Sequence, residues 1–181
     1  MTEAAYLAAG ARDGDRLMTL TTALKMLSSR GVAVRRVSSL YETEPIDLPG
    51  ERTLINAAVE IAAPIAPEEV LRICLGVEED LGRRRTPRDG SPDTGPRPID
   101  LDLLLWGARE IRQPGLVIPH PRMHLRRFVL VPLAEIAPRA VHPALGLDVA
   151  TLLARCEDSG SVSLWKPPSA WWSGRCSVPE H

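Results

Sequence analysis

The sequence predicts an α+β domain: an antiparallel sheet with helices packed on one face, in the split βαβ order β-α-β-β-α-β. Three observations predict it. Residues 99–103 alternate apolar and acidic side chains with the period of a strand. Leu17, Leu20, Leu24 and Leu27, and later Val70, Ile73, Val77 and Leu81, recur at helical spacing. Short β-branched runs bounded by Gly and Pro lie between and around these two stripes.

The elements follow in order. Ala5 to Ala9 is an apolar run ending at Gly10 and reads as a buried strand. Asp13-Gly14-Asp15 supplies turn and capping chemistry before the first helix. Val32 to Glu42 and Leu54 to Ala62 suit two strands joined by a Pro- and Gly-containing loop. Pro67 fits a helix start, with Glu68 and Glu69 in the first turn and Gly82 placed to end the helix. Residues 83–98 form a long loop rich in Arg, Pro, Gly and Asp, a length that compact domains reserve for function or disorder. The strand at 99–106 comes next. Val117 to His124 reads as a loop, and Leu125 to Ile136 as a helix interrupted near Pro132. Asp148 can cap a short last helix through Leu153. From Glu157 the composition turns to Ser, Gly and Pro with Trp165, Trp171 and Trp172. We take 1–156 as the domain and 157–181 as a tail, either disordered or lying across the core as an aromatic strap.

At 181 residues the chain has room for one domain with a substantial core. A formal charge of -1 argues against a general polyanion binder, so no nucleic acid is expected. Cys74, Cys156 and Cys176 are odd in number and fit no zinc pattern, which suits a reducing compartment. The N-terminus lacks a basic segment followed by an apolar one, and no apolar run could span a membrane. The expectation is a cytoplasmic, soluble, monomeric protein acting on small molecules.

Chemistry concentrates at Gly95-Pro96-Arg97-Pro98-Ile99-Asp100-Leu101-Asp102. Ile99, Leu101, Leu103 and Leu105 are expected on the core face, with Asp100 and Asp102 together on the other. Their Cα atoms are then roughly 7 Å apart. A solvated strand face is the ordinary use of such a pair. The preceding arginines tip the reading to magnesium and polyphosphate: hard cations take carboxylate oxygens, and arginine takes phosphate. Arg83, Arg84, Arg85 and Arg88 fall within six residues, and Arg97 follows, so the loop can act as a basic flap. His120, flanked by Pro119 and Pro121, reads as a hydrogen-bond donor to phosphate rather than half of a zinc pair with His124. Phe128, beside Arg126 and Arg127, packs in the core or stacks on a flat heterocycle. Asn56 is an amide inside an apolar strand, able to read a heterocycle edge. No Gly-Lys-Ser/Thr loop and no G-x-G-x-x-G is present, so ATP would be held by other means.

These motifs, with Tyr41-Glu42-Thr43-Glu44-Pro45, Asn56-Ala57-Ala58-Val59, Leu81-Gly82-Arg83 and Pro119-His120-Pro121, resemble the 6-hydroxymethyl-7,8-dihydropterin pyrophosphokinase family over residues 5–155. The resemblance implies a ferredoxin-like fold with a long flap loop. It implies pyrophosphoryl transfer from ATP to the pterin hydroxymethyl, releasing AMP, in folate biosynthesis. It implies two magnesium ions with ATP on Asp100 and Asp102, and a nucleotide and flap set of Arg83, Arg85, Arg88, Arg97, His120 and Arg126. Thr43, Pro45, Ile46, Asn56 and Phe128 match the pterin pocket. The chain departs from the family pattern in three places: Gly10-Ala11-Arg12 where Gly-Ser-Asn is usual, Leu54 where an aromatic is common, and Asp93-Thr94 before Gly-Pro-Arg. Arg88 is expected to take over the charge role lost at Asp93. Two other classes compete: a catalytically weakened relative, and an RNA-binding module of the same strand order, which would show aromatics where this chain has aspartates.

Overall fold

A computed structural model describes residues 3–43, 53–83 and 98–174. Strand β1 (Ala5–Ala11) leads to helix α1 (Arg16–Ser29), whose first turn is capped by the Asp15 carboxylate accepting from the Met18 N–H. Strands β2 (Ala33–Val37), β3 (Leu40–Thr43) and β4 (Leu54–Ala62) follow. Helix α2 (Pro67–Asp80) then precedes β5 (Ile99–Trp106). Beyond β5 come the hairpin β6 (Ile111–Gln113) and β7 (Leu116–Ile118), and helix α3 (Arg127–Ile136). The pair β8 (Val141–His142) and β9 (Leu147–Asp148), helix α4 (Val149–Arg155) and β10 (Val162–Lys166) complete the order.

Among the described residues one antiparallel sheet runs β10-β3-β4-β1-β5, with β2 also paired to β4. One face carries Leu7, Ile55, Val59, Ile61, Ile99, Leu101 and Leu103 under Leu20, Leu24 and Leu27 of α1 and Val70, Cys74 and Val77 of α2. Each such side chain contributes about 1.5–3 kcal/mol by leaving water.

The other face corrects the expectation of helices on one side only. Leu130, Leu133 and Ile136 of α3 pack with Ala58, Leu104 and Leu105 against it, and Val149 and Leu152 of α4 join them. Only part of this face stays open to ligands. Pro132 lies inside α3 without ending it. Pro132 and Leu133 are both buried, and the packing of this apolar stripe outweighs one lost backbone bond.

Three local readings change too. Val32 to Glu42 is not one strand but two, with Ser38 and Ser39 between them. The Ser38 hydroxyl accepts from the Ala58 N–H and donates to the Ser39 carbonyl, offering the backbone an alternative to the ladder. Val117 and Ile118, read as the start of a loop, belong to β7. Leu105 is not on the face of Ile99, because a register shift opposite Tyr6/Leu7 inserts an extra residue. Leu104 and Leu105 both join the α3 side, and Trp106 takes the place on the α1–α2 side. In the tail, residues 162–166 form β10 against β3, and Trp171 is buried in the core.

Candidate active site

The period of β5 puts Ile99, Leu101 and Leu103 in the core and leaves Asp100 and Asp102 on the half-open face. Gly10 of β1 is in register with both Asp100 of β5 and Asn56 of β4. A row Asn56–Gly10–Asp100 therefore crosses three strands. A Cβ at position 10 would lie 2.9 Å from Asn56 Oδ1, so glycine leaves the room that the amide occupies. Asn56 is buried, and its Nδ2 donates to Thr43 Oγ1 at 2.7 Å.

Two cavities meet at the aspartates. One, of about 380 Å³, lies between α2, β5 and β7; its lining includes Leu71, Glu78, Arg83, Val117 and His120. The other, of about 170 Å³, lies over the sheet beside the start of α3; its lining includes Gly10, Arg12, Asn56, Arg126 and Phe128. Asp100 and Asp102 line both.

The larger cavity is charged. Arg83 Nη1 is 2.9 Å from Glu78 Oε2 and also bonds Asp100 Oδ1. Burial works against its charge, but Asp100 and Glu78 outweigh it and hold the guanidinium above its ordinary range. Among the described residues the buried Nε of Arg83 has no hydrogen-bond partner. Glu78 is buried in α2, and its Oε1 accepts from the Leu101 N–H at 2.7 Å, which ties the helix to the middle of β5. Asp102 is pushed up to about 6 by burial first, then by Asp100 and Glu78, against the opposing pull of Arg126 and Arg83. The charges of Asp100 and Glu78 make an ionised Asp102 costly, and a cation beside it would offset that cost. Among the described residues no group of three or more ligating side chains could hold a metal by itself. Asp100 and Asp102 thus suit a hard cation that takes its other oxygens from a bound phosphate chain.

His120 Nδ1 accepts from the Arg122 N–H at 3.2 Å, so the neutral ring carries its proton on Nε2. Burial, then Arg126 and Arg122, lower its pKa and favour that neutral form. At the other cavity the Arg126 guanidinium lies 5.5 Å from the Phe128 ring centroid.

The structure brings together Asp100, Asp102, Arg83, His120, Arg126, Asn56, Thr43 and Phe128. Pro45, Ile46, Arg85, Arg88 and Arg97 lie outside the described residues. In the departure Gly10-Ala11-Arg12, Ala11 is buried and Arg12 lines the smaller cavity. Sequence reading missed Glu78. The signal was present: position 78 is one turn beyond Cys74 on the buried stripe of α2.

A family model described as 7,8-dihydro-6-hydroxymethylpterin-pyrophosphokinase (HPPK) matches residues 6–138. The 2-amino-4-hydroxy-6-hydroxymethyldihydropteridine pyrophosphokinase of Bacillus subtilis (strain 168) is 38% identical over 170 residues, covering 93% of this chain and 94% of that protein. The folic acid synthesis protein fol1 of Pneumocystis carinii is 35% identical, over 86% of this chain but only 20% of that protein. Wild-type HPPK-DHPS of Plasmodium falciparum with pteroate superposes with a TM-score of 0.67 at 15% identity, over 86% of this chain and 44% of that one. At that identity the likeness shows the fold alone, and this chain spans less than half of that structure's length. The matched stretch takes in Asn56, both aspartates, His120 and Phe128, and the Bacillus relative matches almost end to end: the chain belongs to the 7,8-dihydro-6-hydroxymethylpterin-pyrophosphokinase family.

Proposed function

We propose that the chain transfers the pyrophosphoryl group of ATP to the hydroxymethyl group of 6-hydroxymethyl-7,8-dihydropterin, giving the pterin diphosphate and AMP for folate synthesis. The observation that carries the reading is the shared wall: two cavities of different chemistry open on the same pair of aspartates. ATP belongs in the larger one, beside Arg83 and His120. The pterin belongs in the smaller one, with its ring on Phe128 and its polar edge at Asn56. The pterin hydroxyl oxygen then bonds to the β-phosphorus as the bond from that phosphorus to the α,β-bridging oxygen breaks. AMP leaves, and the hydroxyl proton passes to solvent.

Positioning and charge are what this reaction asks of the protein. Thr43 fixes the rotation of the Asn56 amide, leaving Oδ1 as its acceptor. Glu78 holds the Arg83 guanidinium beside Asp100, ready for phosphate oxygens. Neutral His120 donates from Nε2 without adding charge. Asp100 and Asp102 are the residues that would hold two magnesium ions, which when bound offset phosphate charge and polarise the β-phosphorus. Arg85 and Arg97 are assigned to the nucleotide and Pro45 and Ile46 to the pterin by the family pattern, and Arg88 to the nucleotide in place of the charge lost at Asp93. The ferredoxin-like description, a flap over 83–98, a monomeric state, action on small molecules alone and a cytoplasmic location belong to the same reading. Among the described residues no helix is long and apolar enough to cross a membrane.

The test is AMP release from ATP and magnesium, with and without reduced 6-hydroxymethylpterin. AMP that depends on pterin and matches pterin diphosphate in amount is the expected result. Folded protein that binds ATP and releases no AMP would favour the weakened relative and direct attention to Arg12.

A further inference from the structure

The strand that carries Thr43 is poorly supported by the rest of the sheet. β3 has four residues and three register pairs with β4: Tyr41 with Asn56, Glu42 with Ile55 and Thr43 with Leu54. Without β10 it would be a short edge strand, the kind most prone to fray. The C-terminal segment supports it at both ends. Val162 is in register with Thr43, and Leu164 with Tyr41. At the other end the Trp171 indole N–H donates to the Ser38 carbonyl at 3.0 Å, and the ring is buried in the core.

A polar latch reinforces the site end. Arg16 Nη1 donates to the Thr53 carbonyl at 2.6 Å and to Thr53 Oγ1 at 2.9 Å, and pairs with Glu42 Oε1 at 3.4 Å. Thr53 is the neighbour of Leu54, and Glu42 the neighbour of Thr43. The latch therefore ties together the residues next to the Thr43–Leu54 pair. Trp165 of β10 covers it, with the Arg16 guanidinium 5.8 Å and the Lys166 ammonium 4.9 Å from its ring. None of β10, Trp165 or Trp171 lies within the stretch matched by the family model.

We propose that Arg16, Glu42 and Thr53, covered by Trp165 of the C-terminal strand, position the Thr43–Asn56 pair and so set affinity for the pterin but not for ATP. These are positioning residues: none lines either cavity beside the aspartates. The inference rests on the pyrophosphokinase reading above. Asn56 can hold a heterocycle edge only while Thr43 holds its Nδ2, and Thr43 keeps that place only while β3 is pinned. The nucleotide cavity is built from α2, β5 and β7, on the far side of β1, and does not depend on β3.

Steady-state AMP release, with pterin and MgATP varied in turn, tests this. Arg16→Ala is expected to raise the KM for pterin about ten-fold, the order set by losing charge-assisted hydrogen bonds. The KM for ATP and kcat should stay within about two-fold. Trp165→Ala, a change at a partly exposed side chain that leaves the core intact, is expected to raise the pterin KM about three-fold, the order of one exposed cation–π contact. Trp165→Phe should recover most of that loss, because a ring again covers the arginine. Should Arg16→Ala not fold, the Trp165 pair carries the test alone. Both KM values rising together would mean general loosening and overturn the proposal, as would a pterin KM that does not move. Wild-type protein without pterin-dependent AMP overturns the functional reading itself, and this inference with it. Active wild type with unaffected variants overturns the inference alone.

Discussion

The two faces of the sheet are made from the same strands and behave as different materials. On the α1–α2 face Ile99, Leu101, Leu103 and Trp106 of β5 are apolar and buried. On the other face α3 covers the end near Leu104 and Ala58, and the remainder is left to carboxylates, an amide and a glycine. A strand has one backbone and two independent rows of side chains, so stability and chemistry can be assigned to alternate residues. The difference teaches that neighbours in sequence should respond to mutation in opposite ways. Burial predicts which measurement moves.

The adjacent pair Leu101 and Asp102 gives the sharpest break. Asp102→Asn removes an anionic oxygen donor from the shared wall but keeps its shape. Turnover is expected to fall by about 10³-fold or more, the order of losing several kcal/mol of charge stabilisation. Thermal stability should hold or rise, because one of three crowded carboxylates has gone. A variant that turns over normally would remove Asp102 from the site. Leu101→Ala should do the reverse: about 2–5 kcal/mol lost in urea unfolding, with kcat of the folded fraction within a few-fold of wild type. If kcat collapses while stability holds, the two rows are not independent.

The next effect lies within the open face and separates its two cavities. Gly10→Ala puts a methyl 2.9 Å from Asn56 Oδ1 and must displace the amide. Calorimetry should show pterin affinity down by about ten-fold, as for a misplaced buried amide, with ATP affinity nearly unchanged. Asn56→Ala should give the same asymmetry. Equal losses for both ligands would mean that the row Asn56–Gly10–Asp100 serves the whole site rather than the pterin end.

Local signals were legible in the sequence because they depend on a few adjacent residues. The alternation of β5, the Pro67 start of α2 and the Asp148 cap of α4 are all of that kind; Asp148 Oδ1 accepts from the Thr151 N–H at 2.8 Å. What escaped depends on distant partners. The second helical layer needed Pro132 to be tolerated inside α3, which packing against Ala58 and Leu104 decides. The shift that moves Leu105 to the other face arises from pairing with β1, and nothing near Leu105 announces it. β10 has a weak pattern of its own and exists because β3 offers it an edge. Around the two cavities, Arg83, Asp100, Asp102, His120, Arg126 and Phe128 had been singled out by type and motif. Glu78 was not, because a glutamate on a helix is ordinarily solvated and its burial needs Arg83 and the Leu101 N–H to be in place.

Cys74 links the two faces and carries the smallest predicted effect. It sits in α2 on the closed face, yet its thiol feels the site. Burial, then Glu78, then Asp102 push its pKa from 9.0 up to about 12. Below pH 9 both folded and unfolded chains keep the proton, and the contribution to stability is complete. Above pH 9 the unfolded chain loses it while the folded chain holds it, so stability falls as pH rises toward 12. At pH 10 the loss from this one group is on the order of 1 kcal/mol. Tyr41, also raised to about 12 by burial and then by Glu135, adds its own loss from pH 10 upward, so the interval from pH 8 to 10 isolates the cysteine best. Urea unfolding at those two pH values should show a smaller alkaline loss in Cys74→Ala than in wild type, by about 1 kcal/mol. Asp102→Asn should shrink the loss too, but by less than Cys74→Ala does, since burial is the first cause and the aspartate the third. An alkaline loss unchanged in Cys74→Ala would show that its thiol is already accessible to water, and that the face under α1 and α2 is not closed at Cys74.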